Sequence, residues 1–142
     1  MPVKSHDTLR DAKRLASPYP EARVRTTTSR AYYASYQRCL QWERSLPARG
    51  VPRKVTGGVH QQLIDRLANP SGRCSKAQRE LSIELATLLM RQRELRAQAD
   101  YELTATVTGP AGDEQMSLTQ KVFDFCDGRV TPTGSISRTG RK

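Results

Sequence analysis

The chain has 142 residues and carries 24 Lys and Arg against 14 Asp and Glu, for a formal net charge of +10 and a pI near 10.1. That length suits one domain, and no apolar run approaches the roughly 18 residues that a membrane-spanning helix needs. Three scattered cysteines, Cys39, Cys74 and Cys126, fit neither a disulfide framework nor a zinc site and point to a reduced chain with Cys39 and Cys126 half-buried. The opening MPVKSHDTLRDAKRL has no apolar h-region, so the expected location is cytoplasmic.

Apolar residues recur at helical spacing. A first short helix is expected from about Ser5 to Ser17, with Leu9, Ala12 and Ala16 on one side, ended by Pro18 and Pro20. A long second helix spans about Glu21 to Leu46. On it Ser29, Tyr33, Tyr36 and Leu40 fall at steps of four, three and four and form one stripe, flanked by Tyr32, Cys39 and Trp42. Pro47, Gly50 and Pro52 stop this helix and leave Arg49 to Lys54 as a basic loop. Gly57-Gly58 leads into a short third helix carrying Val59, Leu63 and Leu67, which stops at Asn69-Pro70. Ser75-Lys76-Ala77-Gln78 has the form of a capping box and opens a fourth helix, about Lys76 to Leu103, with Leu81, Leu85, Leu88, Leu95 and Ala99 inward. Gly109-Pro110 breaks it. A fifth helix, about Asp113 to Asp127, turns Leu118, Val122 and Phe125 inward and ends with Gly128 as its C′ residue.

The charge is unevenly divided. Arg129, Arg138, Arg141 and Lys142 put +4 on residues 129–142, a Ser/Thr/Gly/Arg segment too poor in apolar groups to offset its ordering entropy, and +6 stays on residues 1–128. The expected organisation is therefore one helical domain over 1–128 and a disordered basic tail over 129–142. A basic body favours polyanions such as RNA or DNA. The common catalytic signatures are missing: there is no phosphate-binding Gly-Lys loop, no His-Glu-x-x-His and no paired-Cys metal spacing. No metal or cofactor is expected, and His6 and His60 are the chain's two histidines.

Two segments carry more specific information: Ser29-Arg30-Ala31-Tyr32-Tyr33-Ala34, and Leu95-Arg96-Ala97-Gln98-Ala99-Asp100-Tyr101. With His60 between them at the start of a short helix, the chain over about residues 5–127 resembles the HEPN superfamily. The likeness is to its small stand-alone members associated with minimal nucleotidyltransferases. The resemblance implies an all-α, HEPN-like bundle of about five helices, two of them long, that forms a homodimer. It implies a toxin–antitoxin or antiviral-defence setting, with RNA as partner and a nucleotidyltransferase as antitoxin. In active members an Arg-x4–6-His motif supports metal-independent endoribonuclease chemistry, in which the 2′-hydroxyl attacks the neighbouring phosphate. An imidazole exchanges protons near pH 7, and a guanidinium stabilises charge growing on phosphate oxygens.

Counting from Arg96 reaches Tyr101, so the motif here reads Arg-x4-Tyr. A phenol with a pKa of about 10 is a poor base at neutral pH. The candidate catalytic residues are Arg96, Tyr101 and His60, and those for RNA contact are Arg30, Arg93, Arg53 and Lys54. By the same resemblance, Tyr101 is the candidate for modification by the partner enzyme. A non-catalytic nucleic-acid-binding or adaptor subunit is the rival class. Plainer roles exist for each group: Tyr33 and Tyr36 as core or interface aromatics, Arg96 and Asp100 as an i,i+4 surface bridge, His60 as a hydrogen-bonded helix-terminal residue. Tyr33, Tyr36, Leu40 and the Leu81 to Leu95 side together exceed the apolar stripe that one small bundle needs, which also argues for a dimer.

Overall fold

The computed structural model describes residues 21–53, 57–101 and 109–132. The expected Ser5–Ser17 helix and residues 133–142 of the tail lie outside the described residues. Four helices are present: α1 (Glu21–Glu43), α2 (Val59–Ala68), α3 (Lys76–Tyr101) and α4 (Gly109–Cys126). No strand occurs among the described residues, so the architecture is all-α. None of these helices is long and apolar enough to cross a membrane.

The helix ends follow local chemistry. At the start of α3 the capping box is reciprocal: the Gln78 amide N–H donates to Ser75 Oγ at 3.1 Å, and the Ser75 N–H donates to Gln78 Oε1 at 2.9 Å. At the end of α4, Gly128 adopts φ +78°. The Gly128 N–H reaches the Phe125 carbonyl at 3.1 Å and the Arg129 N–H reaches that of Asp124 at 2.8 Å, the bond pattern of a Schellman motif. Helix α1 stops at Glu43, three residues short of the expected Leu46. Tighter bonds replace its last turn: the Ser45 and Leu46 N–H groups reach back only three residues, and Ser45 Oγ takes the Trp42 carbonyl at 2.6 Å. Helix α4 begins at Gly109, four residues before the expected Asp113. Pro110 falls within its first turn, where a missing N–H leaves no helix bond unmade.

Helix α1 packs against α3 and α4, and α2 lies along α3. The core holds Tyr32, Cys39 and Trp42 from α1, Leu63, Ile64 and Leu67 from α2, Leu85, Leu88 and Leu89 from α3, and Val122 from α4. This corrects the expected α1 stripe by one position. The buried line is Thr28, Tyr32, Ser35, Cys39 and Trp42, whereas Tyr33 is 49 % exposed and Tyr36 and Leu40 are only partly buried. Thr28 and Ser35 look like surface residues to an apolar pattern, yet they face a polar seam. Thr119 Oγ1 accepts from Ser35 Oγ at 3.2 Å and from Gln92 Nε2 at 2.7 Å, and donates to the Ala31 carbonyl at 3.1 Å. Gln115 Nε2 reaches the carbonyls of Thr28 and Gln92 at 3.2 and 3.0 Å. Burial is tolerated because the donors of this seam find acceptors within it, while the buried Gln92 Oε1 and Gln115 Oε1 accept no hydrogen bond among the described residues.

The leucine side of α3 is consumed inside the chain. Leu85, Leu88, Leu89 and Leu95 are buried, so they supply no surplus for a dimer. Cys39 is wholly buried rather than half-buried, and its thiol pKa is pushed well up by that burial. Helix α2 meets α1 near both of its ends. His60 touches Tyr32 and Tyr36, and Arg66 forms a two-pronged pair with the buried Glu43 carboxylate at 2.8 and 3.0 Å.

Candidate functional site

Ser29, Arg30 and Tyr33 from α1, His60 from α2 and Arg96 from α3 line one cleft of about 310 Å³. Ser29 and Tyr33 are one helical turn apart and share a face. Helix α2 delivers His60 because Gly57, at φ +113°, turns the chain into a conformation that side-chain-bearing residues rarely adopt, and Gly58 then caps the helix in an extended conformation. His60 is the second residue of α2, at the positive end of that helix dipole.

The imidazole is held on two sides. Its Nδ1 lies 2.9 Å from the Tyr32 hydroxyl, and its ring stacks on Tyr36 with centroids 4.2 Å apart. Burial pushes the Tyr32 hydroxyl up to about 12, against opposing pulls from Arg93 and Arg96, so it keeps its proton through the neutral range. When that hydroxyl donates to Nδ1, the neutral ring carries its proton on Nε2; when the Nδ1–H donates to the hydroxyl instead, the Nε2 lone pair is free. Burial, with Arg96 and then Arg93, lowers the His60 pKa below its ordinary value. At pH 7 the ring is therefore neutral, and in the Nδ1–H tautomer its Nε2 can accept a proton.

Arg96 is positioned by Ser29, whose Oγ accepts from Nε at 3.3 Å, and by the Tyr32 ring, over which the guanidinium carbon lies 5.6 Å from the centroid. Arg93, one turn earlier, donates to Gln61 Oε1 beside His60. Arg30 is exposed at the cleft and pairs with no side chain among the described residues. Among the described residues, the lining combines two guanidinium groups and an imidazole, a set whose charge favours an anion.

Of the residues proposed from the sequence, Arg30, His60 and Arg96 come together here, and Arg93 stands at the edge through Gln61. Arg53 does not join them. It donates to Asn69 Oδ1 at 2.9 Å beyond the far end of α2, roughly 13 Å along the helix from His60. The Gly-Gly loop places Arg53 and His60 at opposite ends of one helix. Lys54 lies outside the described residues. Tyr101 is the last residue of α3, and its side chain, like that of Asp100, lies outside the description.

Ser29, Tyr32, Tyr33 and Tyr36 belong to the site and were absent from the sequence-derived set. Their signal was present: Tyr32 and Tyr36 are four apart, as are Ser29 and Tyr33, and all but Tyr36 fall within the Ser29–Ala34 segment. No family model, curated protein or solved structure matches this chain.

Proposed function

We propose that this chain is a HEPN-like protein that engages RNA at the His60–Arg96 cleft and supports metal-independent cleavage there. One observation carries the reading: residues of two motifs and a histidine, separated in sequence, line one cleft, where a neutral imidazole stands with two guanidinium groups. In the reaction, the His60 tautomer whose Nδ1–H donates to the Tyr32 hydroxyl takes the proton of a 2′-hydroxyl on its free Nε2 as the oxygen attacks the adjacent phosphorus. The bond to the 5′-oxygen breaks and that oxygen takes up a proton from water, leaving a 2′,3′-cyclic phosphate. Arg96 stabilises the charge that gathers on the phosphate oxygens. Tyr101 is the phenol that the resemblance sets at the motif's histidine position.

The tie between His60 Nδ1 and Tyr32 favours a second reading, in which the cleft binds RNA without cutting it. The resemblance extends the proposal to a cytoplasmic homodimer in a toxin–antitoxin or defence setting. In that setting a nucleotidyltransferase acts as antitoxin and Tyr101 as the acceptor of its modification.

The test of RNA engagement is affinity for a single-stranded RNA oligomer measured across salt concentrations. Affinity should fall steeply with salt, and Arg96→Ala and Arg30→Ala should each weaken binding and lower the salt slope by about one. No binding by the parent chain at low salt would remove the proposal.

A further inference from the structure

Tyr33 stands apart from the other aromatics of the cleft. Tyr32 is buried and spends its hydroxyl on His60, and Tyr36 is covered by the imidazole, but Tyr33 keeps 49 % of its surface exposed while lining the cavity. Its ring is close to parallel with that of Tyr36, at 20° and 6.3 Å between centroids, and Tyr36 continues the stack to His60 at 29° and 4.2 Å. An exposed flat ring, backed by a stack and lining the same cleft as Arg30 and Arg96, offers π-stacking and anion binding in one site. The volume of about 310 Å³ is at the small end of ligand sites, which run from roughly 300 to 1,000 Å³. It admits one nucleotide-sized group.

We infer that the cleft is a one-nucleotide subsite, in which a base stacks on Tyr33 and its phosphate is held between Arg30 and Arg96. The inference rests on the RNA-engaging reading and sharpens it: the base must be unpaired and out of its own stack to lie on Tyr33, so duplexes are excluded. The shared chemistry is a nucleoside monophosphate unit, whether part of a strand or free. Stacking on an aromatic side chain changes affinity by roughly 5- to 150-fold per base, so Tyr33 carries a measurable share of binding. Tyr33 is half exposed, and its replacement leaves the core side chains in place.

The test uses the full chain and a single-stranded RNA oligomer containing 2-aminopurine, whose fluorescence is quenched by stacking. The parent chain should quench the probe, Tyr33→Leu should lose quenching and weaken binding roughly 5- to 150-fold, and Tyr33→Phe should restore both. Thermal melts of the variants should match the parent. Duplex RNA of the same sequence should compete poorly, and competition by free AMP would identify the free nucleotide as the source of the same unit. RNA binding with quenching that Tyr33→Leu leaves intact, or equal competition by duplex, overturns this inference and leaves the RNA reading standing. Failure of the parent to bind either the oligomer or AMP overturns both.

Discussion

His60 shows how much chemistry a single position can concentrate. Its ring is desolvated by Tyr32 and Tyr36 and sits in the field of Arg93 and Arg96, and every one of these influences disfavours the imidazolium. The consequence for stability has a definite sign. As pH falls below about 6.5, the unfolded chain takes up a proton at this position while the folded chain resists, so stability declines until the lowered folded pKa is reached and then levels. Chemical denaturation across pH 5 to 7 should show this decline, and His60→Phe, which keeps the stack on Tyr36, should remove it. An NMR titration placing the His60 pKa above 6.5 in the free protein would contradict the description. His60 and Arg96 were legible in the sequence because their types are chemically unusual in their segments. The service of Tyr32 and Tyr36 to His60 was not, because it depends on how α2 crosses α1, a relation that no local periodicity encodes.

At the scale of elements, α2 is fixed to α1 at both ends by polar contacts within a largely apolar interface. Glu43 is 2 % exposed, and its carboxylate is matched by both prongs of Arg66, which the bond in turn holds firmly protonated. Removing the guanidinium leaves the buried carboxylate with only the exposed Arg49 at 4.0 Å, so Arg66→Ala should destabilise the fold by about 3 kcal/mol in denaturant unfolding. A loss under 1 kcal/mol would mean that the carboxylate is hydrated in solution. The seam among α1, α3 and α4 should respond likewise. Thr119→Val strips the acceptor from Ser35 and Gln92 and should cost about 1–3 kcal/mol, whereas no loss would show that these groups find water instead. This seam also explains which part of the fold was hard to read. The capping box, the Gly128 terminus, the Asn69-Pro70 stop and the apolar side of α3 are local or strongly periodic and were legible. The inward face of α1 was misplaced by one residue because Thr28 and Ser35 are buried through partners 84 or more residues away.

For the whole molecule, three of the chain's 24 basic residues, Arg30, Arg93 and Arg96, gather near one imidazole. The proposed dimer must use a surface other than the α3 leucines. Ile83, Thr87, Met90 and Glu94 are exposed on one side of that helix at steps of four, three and four, with Ile83 and Met90 about half exposed. Light scattering at micromolar concentration should give a dimer that Ile83→Glu with Met90→Glu dissociates, and a monomeric parent would contradict it. The central claim, that the cleft cuts RNA with its own side chains, is tested most directly by incubating purified chain with single-stranded RNA in EDTA. The parent should release fragments ending in 2′,3′-cyclic phosphate. Arg96→Ala and His60→Ala should each slow release by about 10²–10³-fold, while Tyr101→Phe reports whether the phenol takes part. Intact RNA from the parent, or cleavage by both alanine variants at the parental rate, would contradict it.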